Sequence, residues 1–347
     1  MKLSFSDHFS VIRNHISPDL LNTRWAGKIM ELCTQFPFDT STDFGFESRL
    51  GNPEAKCDFF LQINKDSEGA LMIAGKSNTA GLSPELLADP FWQRISALFA
   101  AWTDPTSYLY RKIEMIWLEF DHEENSFNKI PSIFFRIDED ENTHTPNQWS
   151  AMLQVLDEIY QILFGIKYPA DIADCLKLCV EALPANTRIY QTGFMIPRKT
   201  EALRLILTEM NTGDLLDYLA RIHWPGEPEV IANLLERYAS KFDYTVFNFH
   251  IGKTVLPFLG IEPYFRGMKQ PQWEPRWSDF FDLLENDKLL LAPKRQGLIR
   301  FCVKINASFP YPKLYLSGIN HLKMVYRRGM SHECKAYFGT MMRQPVK

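Results

Sequence analysis

Hydrophobic positions along the chain fall into two rhythms. Stretches such as "LLNTRWAGKIMELCTQF", "PELLADPFWQRISALFAAW" and "NQWSAMLQVLDEIYQILFG" repeat apolar residues at helical spacing, whereas "KCDFFLQIN", "KIEMIWLEF" and "YTVFNFHIG" alternate with period two. The alternating stretches come in pairs with short connections, which reads as antiparallel hairpins, and helical stretches lie between the pairs. Five such units follow one another, at about residues 20–102, 103–165, 171–224, 227–287 and 293–340. No low-complexity linker separates them. The Pro-containing segments "GLSPELLADP", "IHWPGEPE" and "KQPQWEPRW" read as helix entries, so a single domain over residues 1–347 is expected.

Ten antiparallel strands in an open sheet leave two exposed edges, and closing the sheet removes them. The fold class expected is therefore α+β: a ten-stranded antiparallel β-barrel wrapped by helices, built from repeated α-β-β-α units. One strand face packs on the helices and the other lines a lumen. The second faces are Glu47 and Arg49; Asp58, Phe60 and Gln62; Met115, Trp117 and Glu119; Ser132, Phe134 and Arg136; then Arg188, Tyr190 and Thr192. They continue with Arg204, Ile206 and Thr208; Asn248 and His250; Glu262 and Tyr264; His321 and Lys323; and Lys335 and Tyr337. Solvated faces carry fewer aromatics and more flexible Lys and Glu, so this mixture points to an enclosed polar lumen.

Composition narrows the function classes. Of 347 residues, 46% are hydrophobic and 23% charged, an ordinary globular balance. Against 42 acidic residues stand 38 basic ones, a net charge of -4, so no general attraction to nucleic-acid backbones is expected. No run reaches the ~18 apolar residues of a membrane span, and "MKLSFSDHFSVIRNH" lacks the apolar core of a signal peptide. A cytoplasmic protein is expected. The six cysteines are scattered; Cys175 and Cys179 share a helix face, where free thiols act as small buried groups, and no zinc-ligand spacing is present. "FHIGKTVLPF" has GKT without the glycine spacing of a phosphate loop, and no GxSxG elbow occurs.

The element order resembles that of the aromatic prenyltransferase (PT-barrel) superfamily, including the dimethylallyltryptophan synthases, from about residue 20 to 340. Locally, "FESRL" carries Glu47 where those enzymes hold a glutamate against the acceptor's ring N–H. "RIY" and "KAY" are similar to the basic-x-Tyr pairs that grip the diphosphate and shield the allyl cation, matching Arg188 with Tyr190 and Lys335 with Tyr337. The sequence departs from the pattern at "PSIFFRI" and "GIEPYF", where further basic pairs are usual, and at Asp58, where a basic residue is common.

The resemblance implies transfer of an allylic prenyl group from a prenyl diphosphate to an aromatic or peptide-borne acceptor, in natural-product biosynthesis. Ionising the leaving group needs fixed positive charge, for which Arg49, Arg136, Arg188, Arg204, Lys323 and Lys335 are candidates. The allyl cation needs electron-rich walls, open to Trp117, Tyr190, Tyr264 and Tyr337. Acceptor activation needs a carboxylate, with Glu47 and Glu119 as catalytic candidates and Glu262 in the binding set. The competing readings are ordinary ion pairs for the cations and core packing for Trp117. His250 and His321 are read as satisfied core or rim residues. "DEDEN", Asp138 to Asn142, reads as a solvated turn rather than a magnesium motif, so no obligatory metal is expected, with Mg2+ assistance left open. The alternatives are a PT barrel running another reaction on a bulky substrate, or a non-catalytic barrel that binds a peptide or hydrophobic ligand.

Overall fold

The structure is a computed structural model describing residues 3–137, 146–198, 201–308 and 312–344. Its eleven described strands are β1 (Asp43–Arg49), β2 (Cys57–Asn64), β3 (Ile113–Phe120), β4 (Ser132–Ile137), β5 (Arg188–Phe194) and β6 (Leu203–Thr208), followed by β7 (Tyr244–Ile251), β8 (Val255–Tyr264), β9 (Lys304–Ala307), β10 (Lys313–Arg327) and β11 (Glu333–Arg343). Neighbours pair in the order β11-β1-β2-β3-β4-β5-β6-β7-β8-β10-β9, and β10 also pairs with β11. That last pairing closes ten strands into a barrel, all antiparallel. β9, which the sequence pattern does not announce, rides on the first four residues of β10.

Alternation builds the two faces as expected. Phe44 and Phe46 of β1, Phe59 and Leu61 of β2, and Leu118 and Phe120 of β3 point outward into one continuous apolar layer under the helices. The helix Pro90–Trp102 shows how that layer is sealed: Asp89 caps it, Pro90 takes its first position, and Trp92 stacks on Phe120 with ring centroids 6.4 Å apart. The indole N–H groups of Trp92 and Trp102 donate to the Lys129 and Ile113 carbonyls at 2.8 and 2.9 Å, so burying both rings strands no polar atom. Helices also begin at Pro84, Pro228 and Arg276, in the three Pro-containing segments read as helix entries.

One expectation of simple alternation fails. A bulge at Tyr190 inserts an extra residue into β5, so Arg188 and Gln191 lie opposite Thr208 and Ile206 on the lumen side while Thr192 turns outward opposite Leu205. There its hydroxyl donates to the Arg204 carbonyl at 3.0 Å. The "DEDEN" run lies outside the described residues. No described helix is long and apolar enough to cross a membrane.

Antiparallel order puts every hairpin turn at one end of the barrel and every helical connection at the other. At the turn end, Phe134, Met195 and Ala202 pack with Trp117 and Leu256. The connection end is more open: Tyr190, Tyr244, Leu316 and Met341 are exposed there.

Candidate functional site

Inside the barrel, charged side chains meet in buried pairs. On β11 and β1, Lys335 Nζ donates to Glu47 Oε1 at 2.5 Å, and the Tyr337 hydroxyl donates to Glu47 Oε2. Both carboxylate oxygens are thus engaged, and the residue is only 3% exposed. Burial alone would raise the Glu47 carboxyl, but Lys335 and the Tyr337 hydroxyl hold it well below the usual carboxylate range.

A second pair lies on β10 and β8. Lys323 Nζ stands 3.1 Å from Glu262 Oε1 and donates to Asn248 Oδ1 at 2.5 Å. The Asn248 amide in turn donates to Glu262 Oε1 at 3.0 Å. Burial lowers the Lys323 amine to about 8, with Glu262 opposing. Glu262, despite its own burial, is brought to about 2 by His321 and Lys323. Gly260 makes room for this arrangement: a Cβ there would lie 2.5 Å from Lys323 Cε and 3.0 Å from Asn248 Cβ.

The third group is looser. Glu119 on β3 is 3.7 Å from Arg204 Nη1 and 3.6 Å from Arg198 Nη2, and its Oε1 makes no hydrogen bond. Burial pushes Glu119 up to about 7; Arg204 pulls against that shift and the Glu47 charge adds to it. Arg204 also lies over the Phe134 ring, 4.9 Å from its centroid, and donates to His250 Nε2 at 3.4 Å. His250 stacks on Phe258, with burial and then Arg204 holding its imidazole well below the ordinary range. Beside Glu119, Asp58 accepts from the His122 backbone at 2.8 Å and contacts His122 Nδ1 at 2.5 Å. Glu47, Asp58 and Glu119 bring carboxylate oxygens within 4.8 Å of one another, a geometry that a cation could use.

Aromatic rings form an arc across four strands. Tyr244 stacks on Tyr264 at 5.0 Å, Tyr264 meets His321 at 5.1 Å, and His321 stacks on Tyr337 at 4.4 Å. Phe60 continues it at 6.5 Å from Tyr337, its ring lying over Gly45 of the intervening strand. Burial raises the Tyr264 and Tyr337 hydroxyls, with Glu262 and Glu47 respectively adding to it, so both stay neutral donors.

Three candidate cations lie away from this centre. Arg188 is half exposed at the open end and pairs with Glu209 at 3.3 Å. Arg136 pairs with Glu114 at 3.1 Å and lies over the Tyr190 ring at 5.3 Å. Arg49 shares Glu333 with Arg327, at 3.5 and 2.8 Å, beside a cavity of about 390 Å³ at the turn end. Trp117 is half-buried against the Phe134 cluster. Sequence reasoning missed Arg198, Asp121 and His122, which reach the centre from hairpin turns. Arg198 holds Asp121 through hydrogen bonds of 2.6 and 2.9 Å. Alternation along a strand says nothing about a turn residue, so no periodic signal marked them.

No family model matches the chain, and no curated protein does. Among solved structures it is similar to the prenyltransferase PriB in its apo form, with a TM-score of 0.53 and 12% identity over 96% of this chain and 94% of that one. The 5-dimethylallyltryptophan synthase from Streptomyces coelicolor aligns at a TM-score of 0.49 and 10% identity, over 95% of each chain. The closed ten-stranded barrel with its surrounding helices is the prenyltransferase barrel fold.

Proposed function

We propose that the lumen binds a prenyl diphosphate and transfers its allylic group to a nucleophilic acceptor, aromatic or peptide-borne, as a step of natural-product biosynthesis. The observation that carries this reading is the meeting of buried cations Lys323, Lys335 and Arg204 with the Tyr264–His321–Tyr337 arc inside a prenyltransferase-type barrel. Diphosphate oxygens would take over Lys335 and Tyr337 from Glu47, and Lys323 from Glu262, exchanging one anion for another. Arg136 and Arg188 would meet the donor at the open end. Cleavage of the allylic C–O bond leaves a carbocation and a diphosphate; the faces of Tyr264, Tyr337, Tyr190 and Trp117 attract the cation at ~0.5–2 kcal/mol each. The acceptor carbon or heteroatom attacks, and its displaced proton goes to a lumen carboxylate, Glu47 or Glu119. Mg2+, where bound, would help neutralise the leaving diphosphate.

The test is calorimetric titration with dimethylallyl and geranyl S-thiolodiphosphates, with and without Mg2+. Saturable binding, weakened by Lys323→Met, supports the reading; heat-silent titrations with both donors under both conditions overturn it. A second reading is favoured by the pairing itself. Each of the eight described cations at or near the lumen, Arg49, Arg136, Arg188, Arg198, Arg204, Lys323, Arg327 and Lys335, already has a carboxylate partner. A barrel so compensated suits a bulky ligand without phosphates, either transformed by another reaction or simply bound.

A further inference from the structure

Among the buried side-chain atoms without hydrogen-bond partners, two in the lumen lie across one strand pair from each other. Glu119 Oε1 and Ser132 Oγ are both sealed from solvent without a hydrogen bond. Ser132 is 0% exposed and Glu119 6%. The two residues are direct register partners on β3 and β4, so both point to the same face, the lumen. Native interiors leave few buried polar groups unpaired, and each one calls for an explanation.

The charges nearby say what kind of group is missing. Facing this corner are Glu47 from β1, Asp58 from β2, Asp121 and His122 from the β3–β4 turn, and Arg198 from the β5–β6 turn. Arg204 comes from β6, His250 from β7, and Lys335 and Tyr337 from β11; Glu262 and Lys323 lie further round. Five carboxylates (Glu47, Asp58, Glu119, Asp121, Glu262) stand there with four Lys and Arg side chains (Lys335, Arg198, Arg204, Lys323), and His122 and His321 lie against Asp58 and Glu262. Glu119 is the one of the five without a close nitrogen partner, its nearest cations standing 3.6 and 3.7 Å away. Its Oε1 makes no hydrogen bond, and burial pushes its carboxyl up to about 7, so near neutrality a proton takes the place of the missing partner.

A positively charged nitrogen on a ligand would do the same work. Phe60 is the register partner of Glu119 on β2, and Trp117 precedes it by two on the same face, giving π faces to flank a cation. Ser132 Oγ accepts a second N–H. We propose that Glu119 Oε1 and Ser132 Oγ form a subsite for a protonated amine, walled by Phe60 and Trp117, and that the acceptor of this barrel carries such an amine. The second half rests on the reading of the lumen as a reaction chamber; the first stands on the corner itself. A divalent metal fits less well, because Lys335, Arg198 and Arg204 already stand against the same carboxylates.

The test is calorimetry on the whole protein with tryptamine, phenethylamine and Nα-acetyl-lysine amide, and with tryptophol as the uncharged counterpart of tryptamine. At least one amine should bind, with tryptophol weaker by about tenfold or more. Because the amine displaces the Glu119 proton, affinity should rise about tenfold per pH unit below pH ~7 and level off above it. Glu119→Gln should weaken amine binding by about tenfold and flatten the pH dependence, while its denaturation curve stays cooperative; Ser132→Ala should weaken it by about threefold. The proposal falls if none of the three amines binds, if tryptophol binds as well as tryptamine, if Glu119→Gln leaves affinity and pH dependence unchanged, or if Mg2+ saturates the same Glu119-dependent site. Thiolodiphosphate binding without amine binding removes this inference alone. Amine binding without thiolodiphosphate binding removes the prenyl-transfer reading and leaves the subsite standing.

Discussion

Two corners of one lumen hold a buried glutamate in opposite ways. Glu47 has both oxygens engaged, by Lys335 and Tyr337, and is fixed as an anion. Glu119, on β3 across the intervening β2, is as deeply buried but has only ion contacts of 3.6 and 3.7 Å and a free oxygen. The difference teaches that burial does not decide a carboxylate's role; its partners do. A desolvated charge matched by close partners stays ionised while they hold it, whereas one left short of partners holds its proton near neutrality and is available to a ligand.

The largest expected effect breaks the tight corner. Lys335→Ala leaves Glu47 buried without its cation, with only the Tyr337 hydroxyl against it, and should cost about 3–5 kcal/mol in guanidinium denaturation. Replacing both partners, as Glu47→Gln with Lys335→Met, should recover most of that loss. A single Lys335→Ala variant is therefore a poor probe of diphosphate binding, because it perturbs the fold as well.

The next effect has the opposite sign and sharpens the contrast. Burial raises Glu119 from 4.5 to about 7, so its contribution to stability is full below pH 4.5 and is lost as pH rises through 7. Glu119→Gln should stabilise the protein by about 1–3 kcal/mol at pH 8 and by nothing at pH 4.5. Denaturation midpoints at the two pH values check it; equal effects at both would contradict the assignment.

Gly260→Ala should come third, at about 1–2 kcal/mol, because the new methyl group pushes Lys323 off Glu262 and Asn248. In a Lys323→Met background the same change should cost measurably less, which a double-mutant cycle reads directly. Smallest is Arg188→Ala at the open end, whose exposed pair with Glu209 should cost under about 1 kcal/mol and less still in high salt.

Much of this was legible in the sequence, for a physical reason. Period-two alternation puts Glu47, Asp58, Trp117, Glu119, Arg204, Glu262, Lys323, Lys335 and Tyr337 on the second faces of paired strands, and closure of the sheet turns those faces inward. Register between distant strands was not legible: nothing local in "KAYFG" tells Lys335 that it lies against Arg49 and reaches Glu47. Thr192 was misplaced because a bulge leaves no signature in residue type. Arg198, Asp121 and His122 act from turns, where no period operates. The pairing of every candidate cation was also hidden, since alternation gives the face of a side chain and not its partner.

The most direct test of the contrast between the corners is carbonyl 13C titration of protein labelled at glutamate, in wild type and Glu119→Gln. The account expects one glutamate resonance that titrates near pH 7 and vanishes in the variant, while Glu47, identified by Glu47→Gln, stays ionised across the range. A lumen in which no glutamate titrates between pH 6 and 8, or in which the titrating one survives Glu119→Gln, would contradict it.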